Sequence, residues 1–500
     1  MTRPNLLFLY TDEQRFDTLA AYGNPAIAMP NLDGLAARST VFEQAYVTQP
    51  VCTPSRSSLL TGLYPHSNGC LQNNIPLRPE TPCLPELLEP GAYACAHVGK
   101  WHLGDEIYPQ HGFETWLASE DTYHRYYSDK HDEFADRSAY HHWLIERGVR
   151  PWSDDAPEEE LQASPCLRNR FFRDQIHQLP DEVCRPRFLA EAASNFIRQH
   201  AGTPFALHVN FLEPHMPFHS CRDSQYDPAG VTVPGNFAEP FNEGHTLKAR
   251  FQAARYRAHG FGGQPLQSES DWRRLIAQYW GMCSLVDAHV GSILQTLADC
   301  GVDDNTIVVF TSDHGDMMAS HRLLGKGLMF EESSRVPLLI RAPGQEAGRR
   351  VAGPVSQIDV VPTLLDLMGQ GVPGDLPGRS LRPFLDGRDR RARDDVFIEW
   401  NLNPDAPKPR PDPEEVAGLG TPDEVAASVA DPVRTVVTAD NWKFNYSTCG
   451  EHELYDLGAD PLEMNNLAHR KDHADRVCDL AARIRRWQQR LGDTVDLSGV

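Results

Sequence analysis

Three apolar runs constrain the fold more than any other feature of this sequence. Each has the length of a strand, is rich in strand-forming residues and ends in a polar cluster; they span residues 5–12, 205–215 and 306–316. Near-continuous apolar strands are typical of a sheet that helices cover on both faces, so the runs predict an α/β fold. Because ligands bind beyond the carboxyl ends of the strands in such sheets, we expect the polar clusters to converge there.

Helical and loop patterns occupy the segments between these strands. Apolar residues at three- and four-residue spacings predict a long helix over residues 272–297. Two stretches rich in Pro, Asp and Glu, residues 151–165 and 403–431, favour surface loops or insertions.

The C-terminal part has a different pattern. Strand-like pieces lie at residues 396–400, 433–447 and 453–457. An amphipathic helix is predicted after them, over residues 473–491. Since several strands with one helix are typical of a small α+β unit, we expect a large domain over 1–385 and a smaller one over 386–500.

The charge balance limits the partners. With 69 acidic against 47 basic residues, the formal net charge is -22, which repels a phosphate backbone and excludes nucleic acid as a partner. A small anionic substrate is compatible only if local basic side chains and a cation reverse the field inside the pocket. An acidic surface with long insertions also permits assembly into a homo-oligomer.

The N-terminus and the cysteines bear on location. The first fifteen residues lack the apolar core and cleavage site of a signal peptide, and no span has the length to cross a bilayer, so the sequence predicts a cytoplasmic protein without a membrane partner. Eleven cysteines without a repeated short spacing suggest neither a disulfide framework nor a zinc ribbon.

The segment Cys-Thr-Pro-Ser-Arg at residues 52–56 carries the sharpest chemical signal. Pro54 and Ser55 can start a helix whose free N–H groups attract an anion, and Arg56 adds a permanent charge. Such surroundings are expected to depress the pKa of the Cys52 thiol. For this pattern alone, a buried cysteine before a capped helix is the alternative.

With Leu-Thr-Gly at 60–62, this segment resembles the signature of the sulfatase family. Other matching segments follow in family order: Asp12, Gly-Lys-Trp-His-Leu-Gly at 99–104, Glu-Pro-His-Met-Pro-Phe at 213–218, Ser-Asp-His-Gly-Asp at 312–316, Gly-Lys-Gly at 325–327 and Glu-Leu-Tyr-Asp-Leu at 453–457. The resemblance covers most of the chain. It implies an alkaline-phosphatase-like fold: a large, mixed and mostly parallel sheet flanked by helices, with a smaller C-terminal α+β domain that carries an antiparallel sheet.

The resemblance also implies an activity, that of a sulfuric ester hydrolase acting on an organic sulfate monoester. A formylglycine-generating enzyme would oxidise Cys52, and the hydrated aldehyde would attack sulfur through one hydroxyl. His215 would protonate the departing alcohol, and the second hydroxyl would then lose its proton and expel sulfate. Carbohydrate, aryl and small alkyl sulfates all remain open as substrates.

Four acidic and imidazole side chains suggest a metal site. Asp12, Glu13, Asp313 and His314 offer oxygen ligands and one imidazole, which suit a hard or borderline divalent ion. A lone Asp at a strand end is more often a turn former. The resemblance implies that Asp12, Asp313, His314 and modified Cys52 bind one cation, with Ca²⁺ expected and Mg²⁺ or Mn²⁺ as alternatives. Glu13 stands where many relatives have Asp, so its role as ligand, support or bystander stays open.

Basic residues complete the expected site. Lys100, Lys326 and Arg56 match family positions that hold the sulfate or steady the formylglycine, and both lysines lie in Gly-flanked segments that permit close backbone approach. His215 is assigned to the leaving group and His102 to the formylglycine hydroxyl, since imidazole titrates near neutral pH.

Two other functions compete with this one. A phosphonate monoester or phosphodiester hydrolase of the same superfamily shares the Cys-x-Pro-Ser-Arg loop and the Asp-His pair, but the Lys-x-His pair at 100–102 favours a sulfatase. A metal-bearing binding protein without turnover is the third interpretation. Loops such as 123–166 are expected to set specificity.

Overall fold

The computed structural model describes residues 3–123, 126–127, 136–163, 168–238, 241, 244–402 and 411–497. The strands of this part are β1 Asn5–Thr11, β2 Thr40–Tyr46, β3 Ala94–Gly99, β4 Thr115–Ala118, β5 Phe205–Asn210, β6 Thr306–Ser312, β7 Arg335–Arg341, β8 Arg349–Ser356, β9 Val396–Trp400, β10 Val433–Val437, β11 Trp442–Ser447 and β12 Glu453–Asp456. The α-helices are α1 Pro30–Ala37, α2 Cys52–Thr61, α3 Pro65–Asn68, α4 Leu84–Leu87, α5 Ala139–Glu146, α6 Glu158–Ala163, α7 Arg173–Gln178, α8 Arg185–His200, α9 Leu247–His259, α10 Glu269–Asp299, α11 Glu331–Ser334, α12 Val360–Leu367, α13 Arg382–Leu385, α14 Pro422–Val429 and α15 Ala474–Leu491.

The large sheet has eight strands in the order β4-β3-β5-β1-β6-β7-β2-β8. The three predicted apolar runs are its neighbouring strands β5, β1 and β6, which pair in parallel. Strand β7 is antiparallel to both β6 and β2, so the sheet is mixed but mostly parallel. The predicted fold class is therefore confirmed, and the carboxyl ends of the three runs meet at one edge.

Burial on both faces explains why these strands are apolar at every position. Leu7 and Leu9 of β1 pack in a cluster with residues of α1, α8 and α10. Leu6 and Phe8, which point the opposite way, pack in a second cluster with residues of α2 and α12. Each such buried side chain stabilises the fold by roughly 2 kcal/mol, so a polar residue is costly at any position.

The C-terminal strands form a second sheet in the order β12-β11-β10-β9, with every pairing antiparallel. The segment 433–447 is a hairpin of β10 and β11, and α15 confirms the predicted terminal helix. The domain boundary after residue 385 stays a prediction.

The two predicted loop stretches contain more structure than their composition indicates. In residues 151–165, a short 3-10 helix at Trp152–Asp155 precedes α6, and the last two residues lie outside the described part. Residues 403–410 of the second stretch also lie outside it, but α14 occupies its C-terminal part. Thr421 caps α14 through a capping box with Glu424 and a proline follows at the first turn, so local capping overrides the loop-like composition.

The described helices contain no candidate membrane span. None of them is both long and apolar enough to cross a bilayer.

His66 joins α3 to the C-terminal elements through both nitrogens of its ring. Its Nδ1 lies 2.5 Å from Oε1 of Glu399, and its Nε2 lies 3.3 Å from the Leu491 carbonyl. Although burial lowers the pKa of His66, the hydrogen bond and charge of Glu399 raise it above the ordinary value of 6.5. The protonated form is thus favoured in the folded state.

We expect His66→Gln to lower the free energy of unfolding at acidic pH by about 2 kcal/mol, typical of a buried hydrogen bond to a charged group. Because the folded pKa is raised, this contribution is present in full below the unfolded pKa and is lost as pH rises through the folded pKa. Urea unfolding at about pH 5.5 and about pH 8.5 measures it. A difference between wild type and variant that stays equal at both pH values would contradict the assignment.

Candidate active site

The polar ends of neighbouring strands form one buried cluster. Asp12 follows β1, Asp313 and His314 follow β6, Lys100 follows β3, and His215 lies in the loop after β5. Asp12, Lys100, Asp313 and His314 are each at most 1% exposed, and His215 is 7% exposed. The sheet order therefore brings together residues separated by as many as 302 positions, as the polar clusters predicted.

Cys52 enters this cluster as the first residue of α2. Its Sγ lies 3.4 Å from Nε2 of His314, 3.2 Å from Nζ of Lys326 and 3.7 Å from Oδ1 of Asp12. The helix starts at Cys52 itself, two residues before the predicted Pro54, and every residue of α2 is buried.

The expectation of a depressed thiol pKa was wrong. Burial, reinforced by the charge of Asp12, raises the pKa of Cys52 to about 11. Desolvation of the thiolate outweighs the nearby lysines. An unmodified Cys52 is thus a thiol at neutral pH and a poor nucleophile.

Arg56 links the two acidic strand ends. Its Nη2 donates to Oδ2 of Asp12 at 2.8 Å, its Nε donates to Oδ2 of Asp313 at 2.8 Å, and its Nη1 donates to the Lys100 carbonyl at 3.0 Å. A fully buried guanidinium is tolerated because its Nε, Nη1 and Nη2 each donate to an oxygen, two of which belong to carboxylates. Arg56 therefore holds the carboxylates in position and does not face open solvent.

The residues at the strand ends fit a divalent cation. One donor atom each from Asp12, Cys52, Asp313 and His314 lies within 4.8 Å of the other three. His314 Nδ1 is 2.8 Å from the Gly315 carbonyl, so a neutral ring donates there and turns the lone pair of Nε2 towards the carboxylates. Nε2 lies 3.7 Å from Oδ1 of Asp12 and 3.6 Å from Oδ1 of Asp313. These electron-rich atoms converge as ligands of a hard or borderline ion do.

Glu13 contacts two basic residues beside this ligand set and also forms a second group of possible ligands with Asp12 and His215. It adopts a φ of 67°, its Oε1 forms an ion pair with Nζ of Lys326, and the same oxygen lies 3.5 Å from Nε2 of His215. Burial raises the pKa of Glu13 to about 7, although Lys326 lowers it. In this arrangement Glu13 supports the two basic residues, whereas Asp12 faces the ligand set.

The two lysines lie near different oxygens of Asp12. Lys100 Nζ donates to Oδ2 of Asp12 at 2.6 Å, and Lys326 Nζ lies 3.9 Å from Oδ1 of the same residue. Burial raises the pKa of Asp12, but the charges of Lys100 and of the other basic residues around it lower this pKa well below the ordinary value. Three basic side chains thus gather in a strongly acidic protein, and together with a cation they could supply the positive field that an anionic substrate requires.

The glycines beside these lysines serve packing. A Cβ at Gly99 would lie 2.0 Å from the Asn210 carbonyl oxygen, and one at Gly327 would lie 2.8 Å from Cη2 of Trp400. The backbone at both glycines is therefore closely approached, as predicted, but by other residues of the protein.

The two histidines contact different residues of the site. Nε2 of His102 is 2.9 Å from Oδ1 of Asn74, and its ring packs against that of Tyr123 with centroids 4.0 Å apart and planes tilted by 32°. His215 contacts Glu13, and its Nδ1 is 2.6 Å from the Met216 carbonyl. Burial lowers the pKa of both histidines, and the charge of the nearby lysines lowers it further, to well below the ordinary value. Burial and the lysines thus favour the neutral form of both rings.

Two residues of this site were not predicted from the sequence. Tyr123 lies at the start of a predicted insertion, yet its ring sits 4.4 Å from Nζ of Lys100, and its hydroxyl accepts from Nζ at 3.3 Å. Glu106 accepts the backbone N–H groups of Trp101 at 2.9 Å and His102 at 2.6 Å. An acid two residues after the Gly-Lys-Trp-His-Leu-Gly segment was the only hint of Glu106.

Comparison with known proteins agrees with this geometry. A family model described as Sulfatase matches residues 4–370. The chain is 28% identical to a multifunctional alkaline phosphatase superfamily protein of Trinickia caryophylli, covering 98% of this chain and 96% of the relative. It is 29% identical to an uncharacterized sulfatase of Escherichia coli K12, and the match covers 93% of this chain and 83% of that relative. The solved structure of a phosphonate monoester hydrolase of Silicibacter pomeroyi superposes with a TM-score of 0.75 at 25% identity. The superposition covers 97% of this chain and 95% of that chain.

Proposed function

Because the chain belongs to the sulfatase family, we propose that it cleaves an organic sulfate monoester with a formylglycine nucleophile made from Cys52. The observation that carries this proposal is the convergence on Cys52 Sγ of His314 Nε2, Lys326 Nζ and Asp12 Oδ1, all within 3.7 Å. A thiol held protonated by burial is unsuited to direct attack. Oxidation to formylglycine would place an oxygen nucleophile at the same point.

Four residues would hold the cation: Asp12, Asp313, His314 and residue 52. Bound there, a divalent ion such as Ca²⁺ would act as a Lewis acid on the sulfate oxygens and lower the pKa of the nucleophile. Arg56 keeps both carboxylates in place by donating hydrogen bonds to Oδ2 of each.

Lys326 is the basic residue placed to bind the sulfate. Its side chain is 16% exposed, whereas those of Lys100 and Arg56 are 0% exposed. An ammonium at the open side of the cluster, 3.2 Å from Cys52 Sγ, can neutralise charge that develops on the equatorial oxygens. Lys100 is fully buried, and its ammonium contacts Asp12 and the Tyr123 ring.

His215 is assigned to the leaving group. Alkoxide leaves poorly, so a proton donor beside the bridging oxygen lowers the barrier. The pKa of His215 is lowered by burial and Lys326, and the negative charge of a bound sulfate would draw a proton to the ring. His102, fixed by Asn74 and Tyr123, is assigned to the hydroxyl of residue 52.

A phosphonate monoester or phosphodiester hydrolase is the second candidate. The similarity to the Silicibacter pomeroyi structure favours it, since both chains are covered almost completely. Against it stands the pair Lys100 and His102, which the structure places on Asp12 and beside Thr53 of the Cys52 segment. Rates with matched sulfate and phosphonate monoesters of one alcohol separate the two candidates.

The nucleophile is tested by mass spectrometry of the tryptic peptide 39–56. The protein is produced in a host that contains a formylglycine-generating enzyme. We expect the peptide to have lost the thiol sulfur and gained an aldehyde oxygen at Cys52. A matched preparation from a host without that enzyme should retain the thiol. Persistence of the thiol in both preparations would contradict the proposal.

A further inference from the structure

We propose that a cavity beneath helix α9, separate from the catalytic cluster, binds a small organic anion whose charged group is attached to a ring. The cavity has a volume of about 410 Å³. It shares no residue with the cluster of Asp12, Cys52, Asp313 and His314, so the proposal does not rest on the proposed function.

Three arginines give the cavity its charge. Arg250 and Arg257 project from one face of α9, two turns apart, and Arg322 lies opposite them on a short 3-10 helix at Ser320–Arg322. Within the described part of the chain, none of the three has a carboxylate oxygen within 4.0 Å. Glu269, the one acid of the described lining, pairs with Arg273 at 2.6 Å. In a protein of net charge -22, three arginines that line one cavity without an acidic partner among the described residues make the local field positive and favour an anion.

His321 is the second observation that points to a ligand. This cavity-lining residue is 3% exposed, and its Nε2 has no hydrogen-bond partner among the described residues. Its ring stacks on Phe241 with centroids 5.2 Å apart and contacts Phe330 at 4.6 Å, in a backbone conformation with φ of 51°. A buried imidazole nitrogen without a partner carries a desolvation cost that a bound acceptor or donor would remove.

The rest of the wall is apolar and suits a ring. Phe237 and Trp272 line the cavity with ring centroids 6.0 Å apart and planes at 73°, and Leu266 lies beside them. Arg322 donates from Nε to the Phe237 carbonyl at 3.0 Å, which fixes its guanidinium next to this aromatic corner. A flat body against the aromatic corner would therefore place its charged group among the arginines.

Isothermal titration of the full-length protein with naphthalenesulfonate tests the proposal, because this probe combines an aromatic body with a sulfonate that cannot be hydrolysed as an ester. We expect binding, and a loss of affinity of about tenfold in the double variant Arg250→Gln/Arg257→Gln, since a hydrogen bond to a charged group is typically worth that factor or more. The matched control is Arg255→Gln. Arg255 lies on the same helix but pairs with Glu415 at 3.5 Å and does not line the cavity, so affinity should be unchanged.

Three results would overturn the proposal: no binding to wild type, equal affinity in wild type and the double variant, or equally tight binding of neutral naphthalenemethanol. Sulfate release from a small ester, measured in parallel, should be the same in wild type and all variants. Because the readout is binding, the proposal can fail while the sulfatase activity holds, and the reverse is equally visible.

Discussion

Replacing Cys52 with alanine is expected to lower sulfate release by at least about 10³-fold, the scale on which loss of a covalent nucleophile acts in other hydrolases. The substitution removes the atom on which His314, Lys326 and Asp12 converge, and it leaves no group for conversion to formylglycine. Sulfate released from an aryl sulfate over time, with wild type and variant at equal concentration, measures the effect.

The matched control is Cys300→Ala. Cys300 is the residue that caps the C-terminus of α10, is only partly buried and has no contact with the catalytic cluster, so this variant should keep nearly full activity. Thermal unfolding of both variants shows whether either has lost its fold. Retention of wild-type activity by a folded Cys52→Ala protein would rule out the covalent mechanism.

Asp313→Asn is expected to lower both sulfate release and the metal content of the purified protein. Asp313 Oδ2 accepts from Arg56, and its Oδ1 accepts the N–H groups of Glu13 and His314. The amide keeps the volume but loses the charge, so a hard cation loses a principal ligand. We expect metal content, measured by elemental analysis of the purified protein, to fall below that of wild type. Sulfate release should fall by at least about 10²-fold, as for loss of a charge-stabilising group.

Asp287→Asn is the control for the loss of a buried carboxylate elsewhere. Asp287 accepts from the backbone of Asn31 and Leu32 at the start of α1, far from the catalytic cluster in the fold. This variant should unfold at a lower temperature yet retain its metal and its activity. An Asp313→Asn protein with a full complement of metal would contradict the assigned ligand set.

The sheet could be predicted because its signal is local. A strand buried on both faces is apolar at every position, and Leu6, Leu7, Phe8 and Leu9 show this directly. The polar residues directly after β1 and β6 likewise indicated which edge carries the chemistry. Helix α14 inside the second Pro-rich and acidic stretch could not be predicted from composition, because its capping box depends on two particular side chains, Thr421 and Glu424.

The site was predicted in its residue types and only partly in its arrangement. Motif spacing identified Cys52, Arg56 and Asp313, and the structure brings them together. Tyr123 was missed because an aromatic residue in an insertion has no pattern that places it on Lys100. The roles of the individual residues stay predictions until the variants are measured.

By itself, the sequence determined the layered α/β architecture, the edge of the sheet at which polar residues gather, and the family. These follow from periodicity, apolar content and ordered motifs, which the chain carries residue by residue. Only the tertiary structure decided that Glu13 faces Lys326 and His215, that burial raises the pKa of Cys52, and that arginines of α9 surround a cavity with His321. Orientation, solvation and enclosure depend on distances between segments far apart in the chain, and such distances exist only once the chain has folded.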